Sequence, residues 1–429
     1  MASEEPMEKL KTLRITSLDD DENEDEVPIG LNGSLNGSVN LTLHDEEDDD
    51  EDEDQVSVVL GFVEKPKNKW TLLRQLFPSK AGGAPAWLDP VNLPNNASCC
   101  CDLCGEPLQF VLQIYAPLTE EESGKNSTFH RTLYMFMCNS MTCLLRDQHE
   151  QWKRNPEKVM RSVKVFRCQL SQHNPFYSSE KPKYDGTDKP SAAGATLCSW
   201  CGTWKGDKIC GSCRKARYCS ERHQTTHWKS GHWTECRQWT ASQDIAECGS
   251  KTTSAAPPIV VRNHVWPEFE IINEDESEYD TEMSDDNMNA NSLVSRSKND
   301  EMYTSMMDTF KGDADNRSWT SFHVRISKAP NQVLRYLREP KAKPLLPMSS
   351  GRPSRADIPN CTHCGKPRSF EFQVLPQLLY YFGVENEENS LDWATIIAYT
   401  CEDSCEGGVA YKEEFAFVQL VTQSTTSVR

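Results

Sequence analysis

Two segments of the chain alternate apolar residues with polar or small ones at a period of two, which is typical of β-strands that bury one face. Residues 108–114 read LQFVLQI, and residues 370–374 read FEFQV. A third segment, 56–63, is a short apolar run bounded by charge and predicts a buried strand. Residues 77–90 are rich in Gly and Pro and predict a fixed irregular loop around Trp87. The pattern favours a mixed, mainly β protein.

The alternating segments belong to an internal repeat. Residues 101–118 match residues 361–378 at seven of eighteen positions, where Cys101, Cys104, Gly105, Pro107, Phe110, Gln113 and Leu118 recur as Cys361, Cys364, Gly365, Pro367, Phe370, Gln373 and Leu378. Each copy continues to a second cysteine pair and to a strand that ends in Gln-Leu. We predict two related β units that form one split domain, because each unit alone offers only a small core.

Two polar segments divide the chain further. Residues 178–195 are rich in Ser, Pro, Lys and Gly, and residues 240–314 are polar and acidic, so they bracket an independent module. The predicted order is a disordered acidic arm at 1–55, a first β unit at 56–178, the inserted module at 196–239, a disordered acidic linker at 240–314 and a second β unit at 315–429.

The formal charge of −19 comes from two segments of this 429-residue chain. Residues 19–54 contain 17 acidic side chains and no Lys or Arg, residues 268–286 contain ten more without Lys or Arg, and the remainder carries +8. Such blocks cannot bury enough apolar surface to offset chain entropy, so both are predicted to be disordered. They are either solubilising, phosphorylatable tails or polyanions that shield a basic partner.

The composition and motifs exclude several classes of protein. No apolar run approaches the ~20 residues of a membrane span, and the N-terminal MASEEPMEKL lacks a secretory signal, so we expect a soluble intracellular protein with no membrane partner. In a reducing compartment its 18 cysteines indicate metal sites before disulfides. The motifs HExxH and GxSxG, the Walker loop and the deaminase zinc motif are absent, so we expect no enzyme.

Residues 198–236 carry the strongest candidate chemistry. Eight potential ligands suit two tetrahedral zinc ions, namely Cys198, Cys201, Cys210, Cys213, Cys219, His223, His232 and Cys236. His227 competes with His223 for one of these places. The repeat adds two predicted four-cysteine zinc sites, Cys101, Cys104, Cys138 and Cys143, then Cys361, Cys364, Cys401 and Cys405. Reduced structural thiols or a redox CxxC are the alternatives there, and Cys100 competes with Cys101 by register.

The inserted module resembles a MYND zinc finger. The resemblance implies interleaved sites, one formed by Cys198, Cys201, Cys219 and His223 and the other by Cys210, Cys213, His232 and Cys236. His223 departs from the usual cysteine of that family. The resemblance also implies binding of proline-containing peptides. A purely structural role is one alternative, and nucleic-acid binding through interleaved basic and Trp residues is another, although the acidic blocks would compete for the basic face.

The LGFVE start, the FPSKAGGAPAWLDP loop, the two CxxCGxP units, the inserted finger and the segment LDWATIIAYTCEDSC are together similar to the programmed cell death protein 2 family. The resemblance implies a chaperone, cytoplasmic and nuclear, that captures a newly made, basic small-subunit ribosomal protein of the universal S-five class for the 40S subunit. We expect extended client segments to bind between the β units, with Trp87, Tyr115 and Tyr380 as candidate anchors. A transcriptional or signalling adaptor built on the finger is the alternative.

Overall fold

The computed structural model describes residues 58–94, 98–153, 160–246, 265–279, 314–385, 387 and 389–420, with only the backbone of 240–246. The prediction of an acidic arm at 1–55 and most of the prediction for 240–314 lie outside these residues. In the described part of the chain, no helix is long and apolar enough to cross a membrane.

In chain order the strands are β1 Val59–Glu64, β2 Lys80–Ala81, β3 Gln109–Tyr115, β4 His130–Met137, β5 Val163–Leu170, β6 Lys208–Ile209, β7 Arg217–Tyr218, β8 Phe269–Asp275, β9 Leu334–Tyr336, β10 Arg368–Val374, β11 Thr395–Cys401 and β12 Tyr411–Gln419. Ten of them are antiparallel and close into a barrel in the order β1-β8-β2-β3-β4-β5-β12-β11-β10-β9, with β9 pairing back onto β1. The other two, β6 and β7, form a separate hairpin in the inserted module. The predicted mainly β class is confirmed.

Six short α-helices lie in the described segments: α1 Glu120–Ser123, α2 Met141–Gln151, α3 Glu221–His227, α4 Trp233–Ala246, α5 Ala314–Ser327 and α6 Gln377–Tyr381. Local sequence sets several of their ends. Thr119 and Glu122 form a capping box at the start of α1, and Gly124 ends that helix in the left-handed conformation. Ser220 caps α3 through the N–H of His223.

The barrel consists of two five-strand units, β1–β5 and β8–β12, whose strands correspond in order. The β3–β4 and β10–β11 ladders have the same register shift, centred on Val111 and on Glu371, which are 260 residues apart. The first strand of each unit is exchanged with the other unit, because β1 pairs with β9 and β8 pairs with β2. Each unit therefore supplies a strand that the other needs to close its sheet.

Residues 265–279 correct the prediction that 240–314 is a disordered linker. Phe269 and Ile271 of β8 are buried in the barrel core. The acidic residues that predicted disorder include Glu276, which is 3% exposed. Its carboxylate accepts hydrogen bonds from Arg325 at 2.8 and 2.7 Å and from Arg335 at 2.9 Å. These arginines lie 49 and 59 residues further along the chain, so local charge counting missed them.

The barrel interior is apolar at one end and charged at the other. Leu133, Met135 and Val165 belong to the apolar core. The charged end holds the buried side chains Arg131, Arg167, Arg368, Glu371 and Glu414. Arg131 donates to both carboxylate oxygens of Glu371 at 2.5 and 2.7 Å, and both side chains are fully buried. The equivalent positions in the opposite half are Ala394 and Val111, so the two ends share a backbone and differ in chemistry.

The inserted finger is not the independent module that its flanking segments predict. Trp204 of the finger is 1% exposed and packs on Phe136 of β4, with ring centroids 4.4 Å apart. Its indole N–H donates to the Leu108 carbonyl at 2.8 Å. In return, the Trp87 indole donates to the Thr203 carbonyl at 2.9 Å. The finger and the first β unit therefore share one hydrophobic cluster.

Candidate metal centres and the groove beside them

The repeat cysteines converge into two sets, Cys101, Cys104, Cys138 and Cys143, then Cys361, Cys364, Cys401 and Cys405, with the ligand atoms of each set within 4.8 Å of one another. The sulfurs of Cys104 and Cys138 are 3.6 Å apart, and those of Cys361 and Cys405 are 3.7 Å apart. Four sulfurs at about 2.3 Å from a tetrahedral zinc ion lie about 3.8 Å from one another. Each set therefore fits a zinc ion.

The repeated CxxCG sequence forms the tight turn that begins each site. Gly105 and Gly365 both have φ of 74°, a left-handed conformation that strains any residue with a Cβ. Their N–H groups donate to the carbonyls of Cys101 and Cys361 at 2.8 Å. The second cysteine pairs begin at the ends of β4 and β11. Since these strands run in opposite directions, the two sites lie at opposite ends of the barrel.

The finger residues form two interleaved sets, Cys198, Cys201, Cys219 and His223, then Cys210, Cys213, His232 and Cys236. In the first set the sulfurs of Cys201 and Cys219 are 3.9 Å apart. In the second set the Cys213 sulfur lies 3.7 Å from Nε2 of His232. The arrangement that the MYND resemblance implies is therefore the one that the structure brings together, and both sets have four donors suited to zinc.

The structure separates the roles of the two competing histidines. Nδ1 of His223 lies 3.1 Å from the Cys219 sulfur and 3.7 Å from the Cys198 sulfur. Nδ1 of His227 lies 3.1 Å from the Tyr218 hydroxyl instead. His227 does approach His232 and Glu235, although His232 already belongs to the second set. The geometry therefore assigns His223, and not His227, to the first set.

Hydrogen bonds prepare several ligand sulfurs as thiolates, the form that zinc binds. The hydrogen bond from Cys138 and the backbone N–H groups of Leu103 and Cys104 lower the pKa of Cys101 to about 5, against the effect of desolvation. For Cys210, desolvation raises the pKa, but hydrogen bonds from His232 and the neighbouring backbone outweigh it and lower the pKa to about 6. The partner thiols shift the other way: the hydrogen bond to Cys101 raises the pKa of Cys138, and desolvation raises the pKa of Cys213. These thiols must therefore lose their protons when a cation binds.

Three other described cysteines stay outside the four sets. Cys99 and Cys168 are buried, and desolvation raises the pKa of both thiols, that of Cys168 to about 12. Cys100 is partly exposed, and Cys101 rather than Cys100 joins the first repeat set. Cys248 lies outside the described residues. These thiols have the surroundings of structural cysteines rather than of ligands.

A cavity of about 970 Å³ opens where the seam between β5 and β12 ends. Its walls come from both β units and from the finger, and they include Val91, Phe166, Leu170, Lys205, His363 and Val409. The strands pair only from Val165–Glu414 to Cys168–Tyr411. Before Tyr411 in the sequence, the chain turns away from β5 through Gly407 and Gly408, whose φ angles are 78° and 73°. Because this cavity lies between the two β units, it is called the groove below.

None of the three candidate aromatic anchors lines this cavity. Trp87 is 4% exposed and holds the finger, so the prediction of a surface anchor is wrong for this residue. The Tyr115 hydroxyl lies 2.9 Å from Nδ1 of His130, and its ring stacks on Phe77. Tyr380, at 68%, is the exposed one of the three.

The fold and its sites define a class of protein, a duplicated β barrel with an inserted finger and four Cys or Cys/His clusters that could hold zinc. The chain belongs to the programmed cell death protein 2 family. Residues 57–184 match the N-terminal domain of programmed cell death protein 2, residues 316–420 match its C-terminal putative domain and residues 198–236 match the MYND finger. The resemblance drawn from the motifs is confirmed, while β8 lies outside all three matched spans.

Similar proteins extend over most of the chain. Programmed cell death protein 2 of Bos taurus is 36% identical over 374 residues, which cover 85% of this chain and 97% of that protein. Programmed cell death protein 2-like of Homo sapiens is 27% identical and covers 80% of this chain and 89% of its own length. The probable 20S rRNA accumulation protein 4 of Schizosaccharomyces pombe is 30% identical over 120 residues, 24% of this chain and 28% of that protein. No solved structure matches the chain significantly.

Proposed function

We propose that this protein is a zinc-stabilised chaperone that captures a newly made small-subunit ribosomal protein, of the universal S-five class, for assembly of the 40S subunit. Family membership carries the proposal, because one relative has a name that refers to accumulation of 20S rRNA. A role in ribosome biogenesis is the coarse statement that this relationship supports. The client, its class and the chaperone activity are the finer steps of the proposal.

The distribution of charge supports a basic client. Residues 1–54 carry −17 of the total of −19, so residues 55–429 carry only −2. A ribosomal protein that has not met its RNA exposes strong positive charge, and a polyanionic arm attracts and screens it. The nearly neutral barrel is then free to bind uncharged parts of the client. The same acidic arm would compete with nucleic acid, so we propose no direct nucleic-acid partner.

The metal centres support a structural role in place of catalysis. Each of the four sets supplies four Cys or His donors, which fills the tetrahedral coordination of zinc and leaves no position for a substrate. We therefore propose four zinc ions per chain and no enzymatic reaction. Because capture of a client precedes its entry into the assembling particle, we propose a cytoplasmic and nuclear location.

The test is retention of purified clients by the full-length, zinc-loaded protein at physiological salt. We expect it to retain a small-subunit ribosomal protein of the universal S-five class and to keep it soluble. A large-subunit ribosomal protein of similar size and charge is the control and should not be retained. Failure to retain any ribosomal protein under these conditions would refute the chaperone function.

A finger-based adaptor that binds proline-containing peptides is the second candidate, because the finger exposes two large aromatic side chains. Trp228 is 45% exposed and Trp233 is 44% exposed, and the Arg237 guanidinium lies 5.2 Å from the Trp233 ring centroid. Exposed aromatic rings are the surfaces that proline-rich peptides use. The adaptor function predicts that Trp233→Ala in the full chain abolishes binding of such peptides while retention of the ribosomal client is unchanged.

A further inference from the structure

The seam between β5 and β12 is closed differently at its two ends. At the end near α2, the side-chain amide of Gln151 accepts from the N–H of Val418 at 2.7 Å and donates to its carbonyl at 2.9 Å. Gln148 accepts from the N–H of Leu420 at 2.7 Å. Two glutamine side chains thus take the place of a neighbouring strand and cap the edge of β12.

The other end of the seam, at the cavity, is built from the equivalent positions, but among the described residues no α-helix takes the place of α2 there. The nearby 3-10 helix Asn126–Thr128 contributes Ser127 to the cavity wall. Thr132 pairs with Cys168 as its equivalent Thr395 pairs with Gln419, so Gln169 of β5 corresponds to the capped Leu420. The first unit has α2 between its fourth and fifth strands, whereas the second unit has only the short connection 402–410 there. Among the described residues, β12 ends its pairing with β5 at Cys168.

The backbone of Gln169 points into this opening. Adjacent residues of a strand direct their N–H and C=O groups to opposite sides. The Arg131 carbonyl accepts from the N–H of Ala116, so the backbone of Arg131 faces β3. Gln169 is the residue opposite Arg131 in the β4–β5 ladder, and its N–H and C=O therefore point away from β4, toward the cavity.

The side chains around this edge suit a polypeptide in extended form. Phe166 and Leu170 line the cavity beside the edge, and the rim carries Val91 and Val409, which are 45% and 54% exposed. Charged side chains of both signs also line it, including Lys205, Lys412, Glu406 and Glu413. A groove with apolar contacts and charges of both signs does not select a ligand by its net charge. The acidic arm, in contrast, favours a positively charged ligand.

We propose that this groove binds one extended segment of the client as an added β-strand that pairs with Gln169, between β5 and residues 408–410. The identity of the partner as a ribosomal protein rests on the proposed function. The occupant is extended because only an unpaired strand has free N–H and C=O groups to offer Gln169, as the Gln151 amide offers them to Val418. A helix or a closed sheet has already used these groups internally.

The test compares Gln169→Pro with Gln169→Ala in the full-length protein. Both substitutions remove the side chain, which donates to the Ser404 carbonyl at 3.2 Å, but only proline removes the N–H that faces the groove. Because β4 does not use that N–H, proline is tolerated as it is at an edge strand. Melting temperature and zinc content verify folding. We expect Gln169→Ala to bind the purified client within about twofold of wild type and Gln169→Pro about tenfold more weakly, the effect of losing one buried hydrogen bond.

A second pair of variants keeps the test decisive if proline disturbs the barrel. Val409→Asp places a charge on the exposed rim and should weaken client binding at least as much. Ile209→Asp on the finger, where the side chain is also exposed, at 45%, should not weaken it. Wild-type affinity in both Gln169→Pro and Val409→Asp would refute binding of the client in the groove without refuting the chaperone function. Absence of client binding by the wild type would overturn the chaperone function and, with it, the client as occupant.

Discussion

His223 and His227 lie one turn apart on α3, yet their rings meet different chemistry. Nδ1 of His223 faces the sulfurs of Cys198 and Cys219, and Nδ1 of His227 faces the Tyr218 hydroxyl. The spacing along the sequence would allow either histidine to bind the same zinc ion, because either can follow Cys219 on a helix. The difference arises from the direction in which the helix presents each ring, which depends on the packing of the finger.

We predict that His223→Ala lowers the zinc content of the purified protein by about one ion per chain, because a structural zinc needs its fourth donor. His223→Cys should restore the content, since cysteine is an equivalent donor. His227→Ala is the matched control and should keep the wild-type content. Metal analysis after gel filtration measures all three. Loss of zinc from His227→Ala but not from His223→Ala would reverse the assignment.

Glu371 shows how one buried pair makes stability depend on pH. Burial raises its pKa, but the charge and hydrogen bonds of Arg131 outweigh burial and lower the pKa to about 2. The unfolded value is about 4.3. A carboxyl whose pKa is depressed by folding contributes its full stability above the unfolded value and loses it as the pH falls through the folded value. The window for Glu371 is therefore from about pH 4.3 down to about 2.

We predict that Glu371→Gln lowers the free energy of unfolding by about 3–5 kcal/mol at pH 7, because Arg131 remains buried without a counter-charge. The difference from wild type should shrink as the pH is lowered from 5 toward 2, and urea unfolding at several pH values measures it. Glu402→Gln is the control, because Glu402 and Arg355 form an exposed pair at 3.9 Å and such pairs contribute about 0–1 kcal/mol. A difference that stays constant with pH would contradict the assigned pKa.

At the scale of elements, β8 is a strand that the local sequence does not predict. Its residues are rich in acids and lie between long polar segments, which is why composition indicates disorder there. Phe269 and Ile271 nevertheless face the core. Strands β1 and β2, whose pairing with β8 offsets the entropy lost when β8 becomes ordered, lie about 200 residues earlier in the chain. Only a long-range pairing reveals this element.

We predict that Ile271→Ala lowers the free energy of unfolding by about 2–5 kcal/mol, the cost of truncating a buried aliphatic side chain. Ile272→Ala is the matched control on the opposite face of β8, where the side chain is only half-buried, and its cost should be clearly smaller. Chemical denaturation of both variants provides the comparison. Equal, near-zero costs would mean that β8 does not contribute to the barrel in solution.

Whether a structural feature could be predicted from the sequence depends on how far apart its interacting residues lie along the chain. The cysteine pairs, the CxxCG turns and the alternating strands β3 and β10 are local patterns, and the repeat adds their relationship at a fixed offset. The exchange of β1 and β8 depends on pairing between units, and the docking of Trp204 depends on a surface formed by Phe136 and Leu108. The groove edge at Gln169 depends on where β12 begins. Such features have no local signature.

At the scale of the whole molecule, the negative charge and the proposed binding groove lie in different parts of the chain. Residues 1–54 carry −17 and residues 55–429 carry −2, so long-range attraction of a cation belongs almost entirely to the arm. Electrostatic attraction mainly raises association rates and is screened by salt, whereas close packing and hydrogen bonds mainly set dissociation rates. Under the proposed function, the arm and the groove should therefore affect different steps of client capture.

We predict that deleting residues 1–54 lowers the association rate of the basic client at least tenfold at low ionic strength and leaves the dissociation rate within about twofold, because steering acts before contact and the groove acts after it. At 0.3 M salt the two proteins should associate at similar rates, because charges more than about 6 Å apart are then largely screened. Stopped-flow measurements at both salt concentrations test this. The control is a chain of the same length with residues 45–54 changed to Asn and Gln. Because it lacks much of the negative charge, its association rate at low salt should fall from the wild-type value toward that of the deletion variant. A large change in the dissociation rate on deletion would show instead that the arm is part of the bound interface.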